Sequence, residues 1–71
     1  MYLVSQDKTN LIKFERVEIS SLFKIHTLIA YGTGSSVCAT VGTYDSEEQA
    51  KAEFARIIAA LENGQTIYEV R

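Results

Sequence analysis

One change of period governs what this chain can fold into. Up to Tyr44 its apolar residues recur mainly in twos; from Asp45 to Gly64 they recur at helical spacing. Ala50, Phe54, Ile57, Ile58 and Leu61 then form one apolar stripe, the face expected to cover a sheet. The helix signals agree with one another. Ser46 can cap the start and Gln49 completes a capping box, with Asp45 and Glu48 offering the same pattern one residue earlier. Glu47 and Glu48 occupy the first turn, where the helix dipole favours acids. Glu47 and Lys51 are an i,i+4 pair, Gly64 is a natural stop, and Tyr44 is placed to staple the start.

The strands are read from the remaining apolar runs. "MYLVSQ" is a first short strand, and "SQDKTN" carries the side chains of a tight turn. "LIKFERVEIS" is two short strands or one bent strand. "LFKIHTLIAY" alternates clearly: Phe23, Ile25, Thr27, Ile29 and Tyr31 on one face, Lys24, His26, Leu28 and Ala30 on the other, less apolar face. "SVCATVGTY" puts Val37, Ala39 and Val41 on one face, and "QTIYEVR" is a last short strand. The expected fold is therefore α+β: a twisted antiparallel sheet of four to six short strands, packed by one C-terminal amphipathic helix, with a short final strand. Residues 1–71 make a single small domain, without linker, repeat or proline.

Between two of these runs lies "YGTGSS", whose alternate glycines and hydroxyls invite a phosphate-loop reading. A Walker loop needs Lys-Ser or Lys-Thr after its last glycine and then a helix, and a dinucleotide fingerprint needs a third glycine and a helix. Here the segment runs into the strand-like "SSVCATV". It reads as a hairpin turn.

Size and charge narrow the rest. A chain of 71 residues buries only about 60% of its unfolded surface, so its core is thin and tight packing or a second chain becomes useful. The single cysteine excludes an internal disulfide, and Cys38 with His26 is too small a set for a structural zinc. No cofactor or metal motif occurs. Seven Lys and Arg are scattered in a chain of net charge −2, which gives direct nucleic-acid binding no electrostatic engine. No apolar run approaches the ~20 residues of a membrane span. A lone thiol and a start unlike a signal peptide fit a reducing cytoplasm.

Candidate chemistry is sparse. Cys38 and His26 fall on neighbouring strands and could approach, but a Cys–His site needs a third orienting group that the sequence does not offer. The carboxylates each have an ordinary place in a cap, an ion pair or a solvated face. More informative is the back of the helix, where Ala52, Ala55 and Ala59 line up with Arg56 opposite the apolar stripe. This is a flat, small-residue surface that another chain could approach closely. The polar sheet face around Lys24 and His26 is the second candidate surface, and exposed sheet edges are a further route to a dimer.

Four segments, "MYLVSQDK", "LIKFERVEI", "VGTYDSEEQAKAEFARIIAALENG" and "IYEV", together resemble a family of short proteins from Gram-positive bacteria, their prophages and mobile elements. Its members begin with a strand ending in Ser-Gln-Asp/Asn-Lys. They then carry a hydrophobic-Gly-x-Tyr-x-Ser-Glu-Glu-x-Ala-Lys lead-in to an amphipathic helix, here Val41, Gly42, Tyr44, Ser46, Glu47, Glu48, Ala50 and Lys51. They close on a Tyr-Glu strand. "SSLFKIHTLIAYGTGSSVC" lies outside the resemblance. What the resemblance implies is a small accessory or phage-encoded protein, with no catalytic residues attached.

The expected function is a non-enzymatic interaction module that binds a protein or a second copy of itself as a homodimer. In the phage setting it would be an inhibitor of a host defence protein, of the anti-CRISPR kind. The contacts would be Ala52, Ala55, Arg56 and Ala59, or Lys24 and His26. The alternative is a small-ligand or nucleotide-binding protein with its site at a homodimer interface, using Thr33, Ser35, Ser36 and tyrosines. A hydrolase using Cys38 is a third reading.

Overall fold

The computed structural model describes residues 1–32 and 38–71. Thr33, Ser35, Ser36 and Val37, and with them the turn read in "GTGS", lie outside the described residues. Among the described residues five strands and one helix follow in the order β1 (Tyr2–Val4), β2 (Leu11–Leu22), β3 (Ile25–Gly32), β4 (Cys38–Tyr44), α1 (Glu47–Glu62) and β5 (Ile67–Glu69). They form one sheet of order β4-β3-β2-β1-β5 with the helix against one face. The expected α+β architecture is present.

One pairing departs from the antiparallel expectation. β5 lies parallel to β1, with Leu3 beside Tyr68. The helix explains it. Sixteen residues span about 24 Å, more than the roughly 19 Å across five strands. α1 therefore carries the chain from the β4 edge to the β1 edge, and β5 enters there in the same direction as β1.

β2 is one bent strand. Its first residues pair with β1 and its remainder with β3, and the register shifts between Phe14 and Arg16. That bulge keeps Ile12 and Phe14 on the same side as Val17 and Ile19, although an unbroken alternation would set the two pairs on opposite faces. All four belong to the core or pack against it.

The face assignment of β3 is corrected by the structure. Leu28 and Ala30 are fully buried under the helix, whereas Ile25, Thr27, Ile29 and Tyr31 lie on the far side, with Ile25 57% exposed. Small residues on the inner face let the helix approach; Ala30 sits across from Ala39, and Leu28 from Gly42. Phe23 and Lys24 are not strand residues. They form the two-residue turn between Leu22 and Ile25.

The helix is also rolled relative to the expected stripe. Ala50, Glu53, Ile57 and Ala60 are its buried residues, Phe54 packs at the margin, and Ile58 and Leu61 remain 44% and 47% exposed. Burying Leu3, Leu28 and Ile57 contributes about 1.5–3 kcal/mol each, a large share for so small a core.

Both helix ends are closed as the sequence indicates. Ser46 Oγ accepts the Gln49 N–H at 3.2 Å, and Gln49 Oε1 accepts the Asp45 N–H at 3.2 Å. At the other end Gly64, at φ 72°, donates to Leu61 O and Gln65 donates to Ala60 O, a Schellman motif that uses the last carbonyls. The free β4 edge is met by Gln6. Its N–H donates to Val41 O at 2.7 Å, and its Oε1 accepts the Thr43 N–H at 3.0 Å.

Candidate functional site

The sheet face away from the helix has no covering element among the described residues. Along β2 it presents Leu11, Lys13, Arg16, Glu18, Ser20 and Leu22, the positions between those that enter the core. Its middle is an organised group. The Arg16 guanidinium lies 4.1 Å from the centroid of the Tyr31 ring, a cation–π contact. The Tyr31 hydroxyl donates to Glu18 Oε1 at 2.6 Å. That hydrogen bond holds the phenol proton and pushes the Tyr31 pKa up, with burial and the Glu18 charge adding and Arg16 opposing.

The two ends of this face are apolar. At one end Tyr2, Leu11 and Ile67 are 43%, 62% and 52% exposed. At the other, the β2–β3 hairpin turns on Phe23 and Lys24, flanked by Leu22 and Ile25. Phe23 is 93% exposed and held at φ 56°. A bulky residue in the left-handed region is disfavoured by about 1–3 kcal/mol. Positive φ at Phe23 and not at Lys24 is the sign pattern of a type II′ turn, whose first position ordinarily takes glycine. Phe23 thus sits where neither burial nor backbone preference would place it.

The other surfaces are better explained by stability. Glu53 is fully buried in mid-helix, and its carboxylate accepts from Arg56 Nε at 2.5 Å, the Tyr68 hydroxyl at 2.8 Å and the Arg71 N–H at 2.9 Å. These bonds tie β5 to the helix. Burial and the bond to Glu53 push Tyr68 up, and the bond to Glu53 pushes Arg56 up. Beside them is a cleft of about 370 Å³ lined in part by Gln6, Asp45, Gln49, Arg56 and Arg71. Arg56 is already paired with Glu53, and Asp45 and Arg71 bring opposite charges to the lining.

The residues singled out in the sequence are dispersed. Ala52, Ala55, Arg56 and Ala59 are all exposed on the outer side of the helix, as read, but Arg56 is drawn toward Glu53. Lys24 and His26 do not share a polar sheet face. Lys24 is in the hairpin turn, and His26 is half-buried on the helix side, where its Nδ1 is 2.8 Å from Ser21 Oγ. Cys38 is exposed, not a core residue, and opposes Tyr31 on the outer face. Cys38 and His26 therefore lie on opposite faces and do not make a pair. Among the described residues no group of three or more His, Cys, Asp or Glu is placed to hold a metal ion, and no helix is long and apolar enough to cross a membrane.

The outer face went unread because nothing local marks it. Phe-Lys lacks the glycine or asparagine of a turn, so Phe23 reads as part of a strand. The available signal was the run Leu22, Phe23, Ile25, too apolar for a strand end with no partner. Glu53 shares the i, i+3, i+4 face of Ala50 and Ile57, but its charge argues against burial until its donors are known.

No family model, curated protein or solved structure matches the chain.

Proposed function

We propose that the chain is a non-enzymatic interaction module that docks on protein through the outer face of its sheet, with the Leu22–Ile25 hairpin as the anchor. One observation carries this reading. Phe23 is 93% exposed in a strained backbone conformation, and such a placement is costly to stability unless the ring meets something else. The Arg16–Tyr31–Glu18 group in the middle of the same face supports the same reading. Tyr and Arg are enriched among residues that dominate interfaces, and side chains already fixed in place lose little freedom on binding. Cys38 and His26 lie on opposite faces of the sheet and form no nucleophile pair. In the phage setting implied by the resemblance of the chain's ends and helix, the docking partner would be a host defence protein and the module its inhibitor.

The test is capture from a Gram-positive host extract by wild type, Phe23→Gly and Ala55→Glu. A saturable protein partner should bind wild type and Ala55→Glu alike and lose at least about 30-fold in affinity to Phe23→Gly. A partner held equally by Phe23→Gly, or lost with Ala55→Glu, would overturn the assignment to this face.

A further inference from the structure

The outer face is self-complementary, and we infer that its occupant is a second copy of this chain. This rests on the docking reading for the face alone: a second copy would fill it in place of a host protein. The outward side chains of β2 run Leu11, Lys13, Arg16, Glu18, Ser20 and Leu22, a series that exists only because the bulge between Phe14 and Arg16 keeps both halves in phase. Consider a two-fold axis in the plane of the face, crossing β2 at Val17. It reverses the series. Leu22 then lies on the partner's Leu11, Ser20 on the partner's Lys13 and Glu18 on the partner's Arg16. One operator thus matches apolar with apolar, hydroxyl with cation and anion with cation, which is the requirement of an isologous interface.

Three further observations agree. Tyr31, beside Arg16, arrives over the partner's Ile29, beside Glu18, adding apolar contact next to the charge pairs. Arg16 and Glu18 are already positioned by Tyr31, at 4.1 Å and 2.6 Å, so little order is lost when they pair across the axis. The molecule measures 31 × 28 × 19 Å, large enough to contribute the roughly 800 Å² of one side of a standard interface. A core this thin also gains most from a second layer.

The experiment is a charge swap on the full chain, read by sedimentation or light scattering over a concentration series. Wild type should dimerise. Arg16→Glu sets Glu against Glu18 at both symmetric contacts, and Glu18→Arg sets Arg against Arg16. Each should weaken the dimer at least about tenfold. An equimolar mixture should recover it as a heterodimer, since both contacts then pair opposite charges. Recovery in the mixture cannot come from a folding defect, because the same two chains fail separately. A wild-type monomer throughout the series overturns the inference. So does a dimer indifferent to both reversals, or a mixture no tighter than its components. A monomer that still captures a host protein through Phe23 overturns the pairing alone and leaves the docking face standing.

Discussion

The backbone N–H of Arg71 donates to the carboxylate of Glu53 at 2.9 Å, so the end of the chain is fastened to the middle of the helix by an acid with no exposed surface. Tyr68 donates to the same oxygen, and Val70, between them, donates to Val4 O at 2.9 Å. Glu53→Ala leaves the part-buried Tyr68 hydroxyl and Arg71 N–H without this acceptor. It should cost about 3 kcal/mol, against a total that for a small domain starts near 5 kcal/mol. Urea unfolding measures the loss, and faster amide exchange at Val70 and Arg71 places it. Arg56→Ala should cost less, because the Arg56 side chain is 46% exposed and the other two donors remain.

Tyr44 and Gly42 form a second dependency. A Cβ on Gly42 would clash with the Tyr44 hydroxyl and stand 2.8 Å from its ring. Gly42→Ala must displace that ring and should cost about 1–3 kcal/mol. The hydroxyl itself is buried with no hydrogen-bond partner among the described residues. Tyr44→Phe should therefore be neutral or stabilise by about 1 kcal/mol, as seen in the melting temperature.

Burial, followed by the Glu53 charge, pushes the Tyr44 pKa up from 10.0 to about 12. The unfolded phenol ionises first, so the fold is unaffected by this group below pH ~10 and is progressively destabilised by it as pH rises toward 12. The alkaline fall in stability should be shallower in Tyr44→Phe. An identical slope in both proteins would assign the fall to other groups.

At the acid end the relevant group is Asp7. The Ser5 hydroxyl first, then the Thr9 hydroxyl and N–H, hold its carboxylate down to about 2. Its contribution is present above pH ~4 and disappears as pH falls toward 2, and Asp7→Asn should flatten that limb. Ser5 is buried and serves the N–H groups of Thr9 and Asn10 as well as Asp7. Ser5→Ala should cost about 1–2 kcal/mol at neutral pH.

Phe23→Gly should do the opposite of most substitutions. It removes a left-handed phenylalanine at φ 56° and should raise stability by about 1 kcal/mol while weakening docking. A destabilised Phe23→Gly would mean the ring contributes to folding.

What could be read in advance was what depends on neighbours in sequence. The cap from Ser46 to Gln49, the pair of Glu47 and Lys51 at 2.7 Å and the stop at Gly64 each need only three or four adjacent residues. What could not be read depends on distant ones. Glu53 is buried because Tyr68 and Arg71 come back to it, and nothing near position 53 announces them. The inner face of β3 was inverted for a related reason. Leu28 and Ala30 look weaker than Ile25 and Ile29, yet a helix lying close requires small residues beneath it. The bulge at Phe14–Arg16 hid the outer face, since unbroken alternation would put Leu11 and Leu22 on opposite sides.

Gln6 has a consequence for how far association can proceed. Its backbone and its side-chain amide occupy the Val41 carbonyl and the Thr43 N–H, groups to which an added strand would bind. Growth of the sheet from copy to copy is blocked along that stretch. The opposite margin is β5, only three residues long. Joining through faces consumes the surface it uses, whereas joining through edges regenerates it. Gln6 thus shields the Val41–Thr43 stretch from strand addition, and the Ser5–Asn10 turn, closed by the Ser5 N–H on Asn10 O, holds it there.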